Sequence, residues 1–254
     1  MISAWRCRVM DKGIIKAFMV ISLILCLVFA EEDNSAAVLM KGTELETMMH
    51  LSDSGKAGPT VVIIGGIHGN ETAGVLAAEA LTQLVPDKGR IAVVPRANKP
   101  ACDSGVRTVY YMEDLNRCFP GAREGSLTEY AAAALAEAIT ACKPSIVIDL
   151  HESGSKYGEE AESLGQALVI SEEGDSAAIV LDILENLNEK AGAGNEFTFA
   201  SGAPAGSLNR EISKLLSIPA ITVETWSGQE METRINNHIY AVNEILKHFD
   251  MLEK

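Results

Sequence analysis

The chain has 254 residues, 21 basic against 35 acidic side chains, and a formal net charge of −14. A surface this acidic excludes a phosphate-backbone partner, because nucleic-acid binding needs a basic face. Five cysteines in a chain of this length are too few for a disulfide scaffold.

Arg6, Arg8, Lys12 and Lys16 precede the apolar run Ala17 to Ala30, which closes on Val28-Phe29-Ala30 before Glu31-Glu32-Asp33. A basic stretch, a short apolar run and a small-residue end form the pattern of a secretory signal, with an uncleaved N-terminal membrane anchor as the alternative. Residues 1–30 are therefore read as a signal or anchor, and 31–254 as one domain exported from the cytoplasm. Four of the 21 basic and one of the 35 acidic residues lie in the first thirty, so the remainder carries a net charge of −17. Cys102, Cys118 and Cys142 stay with it, enough for one bridge and one free thiol.

In chain order, strands are predicted at Thr60–Ile64, Ile91–Val94, Ser145–Asp149, Ala167–Ile170 and Ala220–Val223. Helices are predicted at Glu71–Leu84, Leu127–Cys142, Ser176–Lys190 and Arg234–Phe249. Ser126-Leu-Thr-Glu129 is a capping box that sets the second helix start. In the last helix, Ile235, Ile239, Val242, Leu246 and Phe249 form a core-facing stripe. The alternation predicts an α/β domain: a mixed, mostly parallel central sheet with helices on both faces. The long segment Arg96 to Gly125 lacks apolar periodicity, and loops of that length in compact domains are usually functional or disordered.

Val61-Val-Ile-Ile-Gly-Gly-Ile-His-Gly-Asn-Glu71 runs from a buried strand through a sharp turn into a helix that Asn70 is placed to cap. A loop of this kind suits an anion at a helix N-terminus or, through His68 and Glu71, a cation. It lacks both the dinucleotide fingerprint and the Gly-Lys-Ser/Thr of a P-loop. Ser145-Ile-Val-Ile-Asp-Leu-His151 repeats the logic, a buried strand leading into a loop with a histidine. Ligands gather at the carboxyl ends of strands in α/β sheets, so His68, Glu71 and His151 can meet as three metal ligands with one position left for water. Asp149 shares a strand face with His151 and is either a carboxylate behind that ligand or a strand-end polar residue.

Ser217-Ile-Pro-Ala-Ile-Thr-Val-Glu-Thr225 brings Glu224 to a third strand end, where it either meets solvent or serves as general base. In the long loop, Arg107 and Arg117 are ordinary surface arginines or a pair that binds a substrate carboxylate and stabilises an oxyanion.

Gly-Gly-Ile-His-Gly-Asn-Glu, Asp-Leu-Asn-Arg-x-Phe-Pro-Gly, Gly-Ser-Leu-Thr-Glu, Asp-Leu-His and Ile-Thr-Val-Glu-Thr, in this order between Val61 and Trp226, resemble the succinylglutamate desuccinylase/aspartoacylase family of the zinc carboxypeptidase superfamily. The resemblance implies a carboxypeptidase-like fold, one Zn2+ on His68, Glu71 and His151, and Glu224 as general base. It implies substrate binding by Asn116 and Arg117, a polarising role for Arg107, and a further carboxylate contact at Arg210. A substrate-capping tyrosine is sought among Tyr110, Tyr111 and Tyr240. Aspartoacylases carry a β-rich C-terminal domain that narrows the cleft, whereas this chain ends 30 residues after Glu224. An open, exported cleft suits a peptide or cell-wall fragment as well as an N-acyl amino acid. The expected activity is hydrolysis of an amide in a small molecule or peptide with a free carboxylate. A carboxypeptidase-type exopeptidase is the alternative, and a non-catalytic binding protein on the same fold ranks below it.

Overall fold

The computed structural model describes residues 36–156, 159, 164–191 and 195–253, so the predicted signal or anchor segment lies outside the described residues. The strands are β1 (Ala36–Leu39), β2 (Thr47–Asp53), β3 (Thr60–Gly65), β4 (Arg90–Val94), β5 (Ile146–Ser153), β6 (Ala167–Ile170), β7 (Thr198–Ser201) and β8 (Ala220–Trp226). The helices are α1 (Thr72–Leu81), α2 (Lys99–Ser104), α3 (Leu127–Cys142), α4 (Ser176–Ala191), α5 (Leu208–Leu216) and α6 (Met231–His248), with one 3-10 turn at Leu115–Arg117. All eight strands form one sheet in the order β1-β2-β4-β3-β5-β8-β6-β7. Its centre, β4-β3-β5-β8, is parallel, and β6 runs antiparallel to β8.

The pleat of β3 explains the two layers. Val62 and Ile64 face one way, where Val147 and Ala220 join them beneath α3 (Leu135, Ile139) and α5 (Leu208, Ile212). Val61 and Ile63 face the other way, with Ile148, Ile221 and Val223 packed under α1, α4 and α6. A strand covered on both sides needs apolar residues at every position, and β3 is buried throughout.

Several expectations are corrected. β5 and β8 continue past their predicted ends, so His151 is a strand residue and not a loop residue, and Glu224 lies within β8 and not just beyond it. Asn70 does not cap α1; Glu71 occupies that position without a side-chain cap bond. α1 stops at Leu81, and α6 begins at Met231, three residues before the predicted start. The capping box at Ser126 and Glu129 is present with both of its bonds. Cys102, Cys118 and Cys142 are all free, so no bridge forms among them. Among the described residues no helix is long and apolar enough to cross a membrane.

Candidate metal centre

Parallel pairing fixes the site. In register, Gly65 of β3 lies beside Leu150 of β5, and His151 lies beside Glu224 of β8. Three neighbouring strands therefore end at the same edge. Asp149, His151 and Glu224 fall on the sheet face covered by α3 and α5, because they share the pleat with Val147 and Ala220. From β3 the chain turns at Gly66, whose φ of +72° suits glycine. Gly69 then presses against α2 so closely that a Cβ there would lie 2.0 Å from the Ala101 carbonyl carbon. That approach puts His68 over the strand ends and Glu71 at the entry to α1.

The three residues converge. His68 Nδ1 is 2.7 Å from Glu71 Oε1, His151 Nδ1 is 2.7 Å from Glu71 Oε2, and the two Nδ1 atoms are 3.1 Å apart. All three side chains are buried, and their ligand atoms lie within 4.8 Å of one another. The outward nitrogens are held by carboxylates: His68 Nε2 by Asp114 at 3.1 Å and His151 Nε2 by Asp149 at 2.9 Å. A carboxylate on the outer N–H fixes the tautomer and turns the other nitrogen's lone pair inward, which is how metal-ligating histidines are oriented. His68, Glu71 and His151 thus form a group that could hold a metal ion, and two imidazoles with one carboxylate suit zinc.

Charge follows the geometry. Burial pushes the Glu71 carboxyl up, but His151 and His68 outweigh it and hold it well below the usual carboxylate range. Asp114 is lowered in the same way, with burial overcome by His68 and Arg107. For His151, burial acts downward, yet Asp149 and Glu71 raise its pKa well above the ordinary value. Glu224 is pushed up to about 7, chiefly by loss of water, with His151 pulling it down and Glu71 and Asp149 adding to the rise.

The predicted cations divide. Arg107 reaches the cluster, with Nη2 2.9 Å from Asp114 Oδ2 and Nη1 3.5 Å from Glu71 Oε1. Asn116 lies at its edge: Nδ2 is 3.4 Å from His151 Nε2, while Oδ1 accepts the Leu208 N–H at 2.9 Å. Arg117 is exposed and donates to the Asn116 carbonyl, so it is Arg107, and not Arg117, that pairs with Asp114. Arg210, exposed on α5, meets only its neighbour Glu211, at 4.0 Å, in an ion pair among the described residues. Tyr110 and Tyr111 meet edge to face, with ring centres 5.1 Å apart, in the exposed loop after Arg107.

Four residues close to the centre were not singled out from sequence as part of it: Asp114, Glu152, Arg234 and His238. Asp114 had a visible signal, since it opens the Asp-Leu-Asn-Arg stretch and caps the 3-10 turn by accepting the Asn116 N–H. Arg234 had another, being polar on a helix read for its apolar stripe, whereas His238 on the same helix reads from sequence as structural and not as a ligand, and it is buried outside the ligand group.

His238 is fully buried, with Nε2 3.1 Å from Thr225 Oγ1 and no partner for Nδ1 among the described residues. Burial first, then His151 and Arg234, lowers its pKa from 6.5 to about 3 against a smaller opposing pull from Glu71. The unfolded chain takes up this proton near pH 6.5 and the folded chain only near 3. Stability is therefore full above the upper value and falls as the pH drops through it. A His238→Asn variant is expected to lose melting temperature less steeply than the parent between pH 7 and 4. Parallel slopes would contradict this.

Fold and site together define a mixed-sheet α/β protein with a candidate metal centre at the carboxyl ends of its parallel strands. The succinylglutamate desuccinylase/aspartoacylase catalytic-domain family matches residues 57–248, and the chain belongs to that family of deacylating hydrolases. It is 38% identical over 101 residues to the N-alpha-acetyl-L-2,4-diaminobutyric acid deacetylase of Halomonas elongata, covering 38% of this chain and 29% of that protein. The chain thus spans under a third of that curated relative in the match. In fold it is similar to the product-bound ectoine utilization protein EutE (DoeB) from Ruegeria pomeroyi, with a TM-score of 0.68 at 20% identity over 88% of this chain and 70% of that one. It is similar too to Helicobacter pylori Csd4, a D,L-carboxypeptidase, with a TM-score of 0.68 at 19% identity over 76% of this chain and 51% of the other.

Proposed function

We propose that this chain is a zinc-dependent hydrolase that cleaves an amide bond in an N-acyl amino acid or short peptide with a free carboxylate. The observation that carries this is the convergence of His68 Nδ1, His151 Nδ1 and the Glu71 carboxylate, with Asp114 and Asp149 behind the two rings. Zinc held there would supply a Lewis acid that acidifies water and polarises a carbonyl.

The remaining steps belong to the protein. Glu224, beside His151 in register and with a pKa near neutrality, is placed to take a proton from water and pass it to the leaving amine. Arg107 borders the cluster and can donate to the carbonyl oxygen as it gains negative charge. Arg117 and Asn116 are assigned to the substrate carboxylate, with Arg210 as an outer contact. An acetylated amino acid is the substrate form in the name of the Halomonas relative, which supports the N-acyl amino acid over the peptide. Export is also proposed, on the pattern of residues 1–30, and N-terminal sequencing of the mature protein tests it.

Arg117 gives the sharpest test of substrate class. A charge-assisted contact to a carboxylate is worth about 1.5–3 kcal/mol, so Arg117→Ala should cost roughly tenfold to a hundredfold in kcat/KM for free acids. Methyl esters of the same substrates should lose little in the variant. If the parent processes esters as well as acids, the assignment of Arg117 fails. Lower stability with unchanged selectivity would mean that it only braces its loop.

A further inference from the structure

Glu152 follows His151 on β5, and the pleat sends it to the opposite sheet face, toward α1 and α6. Its side chain is 2% exposed, and each of its polar groups is committed to one arrangement. Oε2 accepts the Ala73 N–H of α1 at 2.9 Å, and Oε1 receives Nη1 of Arg234 from the first turn of α6. Its backbone N–H donates to Glu71 Oε2 at 3.2 Å. Arg234 is itself only 13% exposed, and its Nε has no partner among the described residues.

Buried ion pairs give up so much hydration that an apolar pair of the same size is often as stable. Stability alone therefore does not account for this one. Its connections do: it ties the entry of α1, where Glu71 sits, to both β5 and α6.

We propose that Arg234 and Glu152 are positioning residues that hold Glu71 in ligand geometry from the far side of the sheet and so set the metal affinity of the site. This rests on the metal centre proposed above. Partners behind the ligands of a metal site typically govern affinity by about 10- to 100-fold.

The test is competition for zinc between the full chain and a chromogenic chelator, well below the melting temperature of each metal-free variant. Arg234→Gln and Glu152→Gln should each weaken zinc binding by about 10- to 100-fold. The double variant should be no weaker than the worse single one, because the pair acts as a unit. Arg234→Lys, which keeps the charge but loses the planar fork, should recover part of the affinity. Lower melting temperatures with parental zinc affinity would make the pair merely structural and overturn the proposal. Should the single variants fail to fold, the neutral double variant decides alone, and parental affinity in it overturns the proposal equally. A folded parent that binds no zinc would instead remove the metal centre, and the brace with it.

Discussion

His68→Ala or His151→Ala is expected to strip zinc and activity together. Each change removes one of three converging donors, and two protein ligands rarely hold zinc tightly. The loss should exceed the hundredfold at the upper end of what removing a supporting partner costs. Metal content per chain after dialysis, measured beside amine release, checks this. His151→Ala should also destabilise the metal-free chain, because it leaves Asp149 and Glu71 buried without the ring that bridges them. Full zinc content in both variants would place the metal elsewhere.

Glu224→Gln should retain zinc and lose about a hundredfold or more in turnover. The amide keeps the shape of the carboxylate but cannot accept a proton, and Glu224 is not one of the three residues whose ligand atoms converge. Metal content and kcat in one preparation separate the two effects. A fully metallated variant with near-parental turnover would remove Glu224 from the mechanism. The pH profile adds a direction: a carboxyl raised to about 7 works as a base only above that value, and a cation in the cluster draws the value down. The acid limb of the rate should therefore lie lower in the zinc-loaded enzyme than the metal-free pKa.

What could be read from the chain alone was what buried periodicity and cap chemistry write locally. The run Thr60 to Ile64 is apolar at every position because both sheet faces are covered, and α3 matches its predicted bounds because Ser126 and Glu129 close a capping box. The edge strands β1 and β7, four residues each and half exposed, carry too little pattern to be seen. Asn70 failed as a cap for a tertiary reason: the Ala73 N–H that such a cap would help satisfy is taken by Glu152, from 79 residues away. His68, Glu71 and His151 were visible because strand-end histidines are rare in apolar surroundings. Asp114, Glu152 and Arg234 were not, since their roles depend on which ring or helix end they face, and only the folded chain decides that. Arg107 and Arg117 looked alike in the loop, and the structure separates them by their partners: Arg107 reaches Glu71 and Asp114, while Arg117 donates to the Asn116 carbonyl.

Amine release by the zinc-reloaded protein from a panel of N-acyl amino acids and short peptides tests the central claim most directly. The same panel is run with chelator-stripped protein. The account predicts release from substrates with a free carboxylate, lost on chelation and restored by zinc. Equal turnover by the metal-free protein, or no release from any carboxylate-bearing amide by a protein shown to hold zinc on His68, Glu71 and His151, would contradict it.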